Sequence, residues 1–193
     1  MAILIAGLLV FLGAHSMRIV APEWREQMIA RLGNNAWRGI ISVLSILGFV
    51  LLIKGYDAAR IHPVSLYEPP YWLHYVTGAL MLVAAIFAAA SQVPRNSIKA
   101  RMGHPLVLSV KTWALAHLLS NGTLADLLLF GTFLLWAVVD FASSRRRDRA
   151  NGTAYPEGAI GNTVVTLIVG AAIWAAFAYY LHARWVGVAP LAM

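Results

Sequence analysis

The sequence predicts an all-α polytopic membrane protein, a bundle of six transmembrane helices forming one membrane domain over residues 1–193. Three observations predict it. Of the 193 residues, 60% are hydrophobic and only 12% charged, against about 45–50% and about 25% in soluble domains. Six runs are long and apolar enough for a bilayer core that takes about 20 residues per helix. Lys and Arg crowd into alternate connections between those runs. Such a balance excludes a water-soluble globule and a disordered chain. The net charge of +7 then belongs to basic loops on a membrane face, not to a nucleic-acid surface. The chain has no Cys, which excludes disulfides, thiolate metal sites, covalently attached haem c and Cys nucleophiles. Any chemistry falls to His, Lys, Asp, Arg and aromatic residues.

The first span covers about 2–20. It reads as a retained helix, because no basic residue opens it and His15-Ser16-Met17-Arg18 stands where a cleavage site would need small residues. A connection with Arg18, Arg25, Arg31 and Arg38 leads to the second span, 36–56. Glu68-Pro69-Pro70 stops any helix before the third, 71–93, whose Tyr71 and Trp72 suit the headgroup region. Arg95, Lys99 and Arg101 precede the fourth, 105–120, the shortest, which carries Lys111 and His117. The fifth is 123–142 and the sixth 162–185. Between them Arg145 to Ala159, with Arg145, Arg146, Arg147 and Arg149, reads as a solvated loop that sets topology and meets anionic lipid.

Eleven basic residues thus lie in one set of connections, and only Lys54, Arg60 and Arg184 in the other. The expectation is cytoplasmic basic loops with both termini outside. His62-Pro63 and His104-Pro105 share only a dipeptide, so an inverted-repeat transporter gains no support.

Ionisable groups in a bilayer are costly, and each is a site candidate by default. Here they are His15, Arg18, His104, Lys111, His117, Asp126 and Asp140. His62 and His182 fall at span edges and read as ordinary solvated histidines, and His74 as interfacial. His15 and Arg18 share a face at i, i+3. On the fourth span His104 and Lys111 fall within about 20° of one another, while His117 points about 140° away. A helix with polar residues on two faces fits a bundle interior better than a lipid rim. Interhelical hydrogen bonding is the plain reading of these groups. Two histidines on separate apolar helices, one with an Arg beside it, also suit a b-type haem, with Arg18 pairing a propionate. A 2-His-1-carboxylate metal set lacks its acid.

The strings Phe11-Leu12-Gly13-Ala14-His15-Ser16-Met17-Arg18, Gly103-His104-Pro105 and Lys111-Thr112-Trp113-Ala114-Leu115-Ala116-His117-Leu118-Leu119-Ser120-Asn121-Gly122 resemble the NnrU family over nearly the whole chain. That family is associated with nitrite and nitric oxide reductase gene clusters of denitrifying bacteria. It is related to the plant and cyanobacterial 15-cis-zeta-carotene isomerases, integral membrane enzymes that carry haem b. The resemblance implies haem b in a bacterial inner membrane, with His15 and His117 at the iron-ligand positions and His104 at a further important histidine. It also implies a redox partner or a reductase beside the lipid bilayer. Where the isomerases carry a Cys three residues before the second ligand, this chain has Ala114, so a Cys–His ligand exchange cannot operate.

Counted from the cytoplasmic ends of their spans, His15 lies about 7 Å deep and His117 about 18 Å. His15 with His104 matches better in depth, and both pairings stay open. Two other functions stay open as well. One is a haem-free permease built on Lys111 and His104; the other is a scaffold whose loops dock a reductase.

Overall fold

Apolar segments of bilayer length satisfy their backbone groups only by becoming helices, and the chain is helical nearly throughout. The computed structural model describes residues 1–191. In order come α1 (Ala2–Val20), α2 (Pro22–Leu32), α3 (Asn34–Ile61), α4 (Leu73–Gln92), α5 (Ser97–Met102) and α6 (Pro105–Ser120). Then follow α7 (Leu124–Ala150), α8 (Ile160–Ala176), a π-helical turn (Phe177–Leu181) and α9 (His182–Val186). Among the described residues the strand pairing is a single antiparallel bridge between Ser65 and Thr123. Five stretches are long and apolar enough to cross a bilayer: α1, α3, α4, α7 and the continuous Ile160–Val186. The protein is an all-helical, multi-pass membrane protein.

The fourth expected span is a helix over the expected residues. Its 16 residues rise about 24 Å, short of a hydrocarbon core of about 30 Å. One connection carries a helix of its own, and one expected loop is corrected. The connection after Arg18 holds α2, which starts with Pro22 in its first turn and ends at Gly33, φ 82°; Glu23 at one end and Arg31 at the other complement its dipole. The arginine-rich stretch begins as helix and not as loop, because α7 runs on to Ala150. There the Arg147 guanidinium donates to Ser143 Oγ and Ser144 Oγ, both at 2.7 Å. Arg145 approaches Asp148, one turn on, at 3.5 Å. Such i, i+3 and i, i+4 pairs sustain a helix after it has left the apolar layer.

The chain divides into two compact units. The first comprises Met1–Tyr67 with Thr123–Thr132. In it α1 and α3 run antiparallel with their main chains in contact. A Cβ on Gly7 would lie 2.6 Å from the Leu52 nitrogen, and one on Gly48 2.7 Å from the Phe11 nitrogen. One on Gly55 would overlap the Leu4 backbone. Small residues make this approach possible where no hydrophobic force separates helix from lipid.

The start of α7 in this unit is a capping box. The backbone N–H of Thr123 donates to Asp126 Oδ2 at 2.9 Å, and that of Asp126 to Thr123 Oγ1 at 3.2 Å. Tyr56 donates its hydroxyl to Asp126 Oδ1 at 2.5 Å. Asp126, one of the costly intramembrane acids, is buried and spent on this cap.

The second unit comprises Glu68–Gly122 with the chain from Phe133 onward. Here α4 packs against both α6 and α8. Thr77 Oγ1 donates to the Ala116 carbonyl at 3.0 Å and Ser109 Oγ to that of Ala84 at 2.7 Å, so α6 lies antiparallel along nearly all of α4. On α8, Trp174 Nε1 donates to the Gly78 carbonyl at 2.9 Å. The turn after α4 is fastened by buried Asn96, whose Nδ2 donates to the Ala90 and Val93 carbonyls at 2.9 and 2.6 Å. Ala159 N–H donates to the Arg95 carbonyl at 2.7 Å. The basic turn and the start of α8 thereby form one end of the unit.

Candidate functional site

His15 sits on α1 in the first unit, four residues after Phe11. Its Nδ1 donates to the Phe11 carbonyl at 2.7 Å, and the two rings stack at 4.4 Å. His117 sits on α6 in the second unit, four residues after Trp113, and repeats the arrangement. Its Nδ1 donates to the Trp113 carbonyl at 2.9 Å, with the rings 5.3 Å apart. A carbonyl can only accept, so in each case Nδ1 carries a proton and Nε2 is the ring nitrogen turned away from the carbonyl. A carbonyl-anchored imidazole of this kind is the usual metal-ligating tautomer. Arg18 is exposed one turn beyond His15.

Sequence reasoning missed His182. The π-helical turn Phe177–Leu181 inserts an extra residue into the helical turn before it, and it places the His182 ring 6.5 Å from His117 at an interplanar angle of 28°. His182 Nδ1 donates to the Val188 carbonyl at 2.7 Å, beyond Gly187, which takes φ 77°. No spacing in the sequence signals a π turn, so nothing marked this histidine as a neighbour of His117.

His104 belongs elsewhere. It caps the start of α6, and its Nε2 lies 2.9 Å from Asp148 Oδ2 and 3.1 Å from the Tyr155 hydroxyl. Tyr155 donates to the same Asp148 oxygen at 2.7 Å. Gly103, φ 81°, lets Arg145 and Tyr155 close over this point. Three segments meet here: the start of α6, the end of α7 and the loop after it. Asp148 and Tyr155 carried no signal in the sequence beyond an acid inside a basic run. The Lys111 side chain makes no hydrogen bond or ion pair among the described residues, which also contain no cluster of three or more His, Cys, Asp or Glu able to hold a metal.

Burial and the Asp148 carboxylate push the Tyr155 phenol up to about 12. The neutral phenol is the form the fold favours. Its contribution is therefore complete below the ordinary value of 10.0 and is lost as pH rises through about 12. Asp148→Ala removes the shared acceptor, and cleavage of the loop after Glu157 by a glutamate-specific protease is expected to become several-fold faster at neutral pH. Unchanged cleavage would mean that the loop is held by other contacts. In alkaline titration, Tyr155→Phe should remove a late tyrosinate transition.

The NnrU family model, described as NnrU protein, matches residues 3–190. No curated protein and no solved structure matches the chain. Since the match takes in the histidine-bearing helices of both units and nearly everything between and around them, the chain belongs to the NnrU family.

Proposed function

We propose that the protein is a haem-b-binding membrane protein of nitrite and nitric oxide metabolism, with His15 and His117 as the iron ligands. The observation that carries this reading is the repeated unit of an aromatic residue, three residues and a histidine on α1 and α6. Both copies tie Nδ1 to the i−4 carbonyl and set an aromatic ring beside the imidazole, stacked on His15 and tilted against His117. That donor chemistry fits haem iron, which takes neutral imidazole nitrogen in an apolar slot. Bound haem would supply one-electron chemistry or a ligand-sensing iron. Arg18 would hold a propionate. His182 would line the His117 side without ligating, and His104, committed through Nε2 to Asp148 and Tyr155, would hold the end of the unit together. A redox partner or a reductase would dock at the membrane face.

His15→Ala and His117→Ala should each strip or convert the haem absorption spectrum. His182→Ala should leave the haem in place, and Arg18→Ala should weaken retention without altering the axial ligands. Unaltered spectra at full occupancy in both ligand variants would overturn the assignment.

The same reading takes α6 as a sixth, short span in the bacterial inner membrane. It lies antiparallel along α4, and only a crossing there puts Arg95, Lys99, Arg101 and the basic end of α7 on one side. Reporters fused after Arg147 and after His62 should report the cytoplasm and the outside respectively, with both termini outside. The same side for both fusions would contradict it.

A further inference from the structure

The four arginines at the end of α7 are not equivalent. Arg147 is fastened to Ser143 and Ser144, and Arg145 approaches Asp148 at 3.5 Å. Arg146 and Arg149 are exposed and make no ion pair among the described residues. They stand one turn apart on a single face. Directly along that face toward the apolar part of the helix come Ala142, Val139 and Val138, all exposed. Together with Phe141 and Arg145 these residues line one shallow, open cleft of about 660 Å³ along a single face of α7. Its floor is apolar, and its rim, at the polar end of the helix, is cationic.

We infer that this cleft is a binding site for an anionic phospholipid, with the phosphate between Arg146 and Arg149 and an acyl chain along Val138, Val139 and Ala142. The charge of the rim selects the headgroup, since guanidinium forms charge-assisted bonds to phosphate. The floor selects a lipid over a free anion or an acidic protein segment, because neither of those would use exposed valines below the arginines. Arg145 strengthens the field while remaining near Asp148. Arg147 takes no part, which distinguishes this site from a general attraction of four arginines to a negative surface.

The test is native mass spectrometry of the full chain in detergent after delipidation. Phosphatidylglycerol and phosphatidylcholine of identical acyl chains are added in parallel, with inorganic phosphate as a third arm. Phosphatidylglycerol should be retained with a clear preference. In the Arg146→Gln/Arg149→Gln double variant that preference should fall by about tenfold or more, two cations each having contributed at the headgroup level. Ala142→Trp, which fills the floor and keeps every charge, should lower retention of phosphatidylglycerol as well. Thermal unfolding in detergent separates lost binding from lost fold. Equal retention of the two lipids by the wild type, or retention of phosphatidylglycerol unchanged in the double variant, would overturn the proposal. Displacement of the lipid by millimolar phosphate, or an intact preference after Ala142→Trp, would do the same by reducing the site to a surface anion site.

Discussion

Gly55→Leu is expected to prevent stable folding of the first unit. Its Cβ would overlap the Leu4 backbone, and a main chain cannot move aside as a flexible side-chain tip can. Overpacking a well-fitted interior costs about 1–3 kcal/mol and more where relaxation is blocked, so this change stands at the upper end or beyond. Gly48→Leu, with a Cβ 2.7 Å from the Phe11 nitrogen, should be nearly as severe, and it would also displace the turn that bears the His15 anchor. Gly39→Leu is the control, since a Cβ there meets nothing within 4 Å. Thermal unfolding in one detergent, read on all three, checks the prediction. Similar melting of Gly55→Leu and Gly39→Leu would show that the α1–α3 contact is not a main-chain contact.

Asp126→Ala should produce the second largest loss of stability. It uncaps the Thr123 N–H and leaves the Tyr56 hydroxyl without its acceptor. A lost cap costs about 1 kcal/mol and a stranded buried polar group about 1–3 kcal/mol, so the sum is about 2–4 kcal/mol. Tyr56→Phe removes one hydrogen bond while leaving the cap intact, at a cost of about 1 kcal/mol. Denaturant unfolding should rank the two in that order. Equal losses would assign the effect to the tyrosine contact alone.

The helices were legible because a bilayer leaves so few options. Apolar runs of the right length located α1, α4 and α6 to within two residues at either end. Less was legible where water reaches the chain. Exposed Arg and Asp do not end a helix, and local pairing carries α7 eight residues past the expected stop at 142. Glycines seven apart at 48 and 55 were visible, but not that they face Phe11 and Leu4, because register depends on the partner helix.

The site was legible in part for the same reason. Phe11 with His15 and Trp113 with His117 are local i, i+4 relations, which a sequence displays. The place of His182 beside His117 follows from a π turn, and the His104–Asp148–Tyr155 cluster joins positions 44 and 51 residues apart. Neither follows from spacing. The fate of Asp126 shows the converse case. An intramembrane acid is a sound functional suspect, yet here its oxygens close a capping box and take up Tyr56.

Two carbonyl-anchored imidazoles are proposed to hold haem b. The absorption spectrum of the wild-type protein purified from membranes, oxidised and then reduced, tests this most directly. A Soret band is expected and, on reduction, the sharp visible bands of low-spin haem b with two imidazole ligands in both oxidation states, no thiol being present to exchange. A folded protein without a Soret band, or a high-spin spectrum from a single axial ligand, would contradict it.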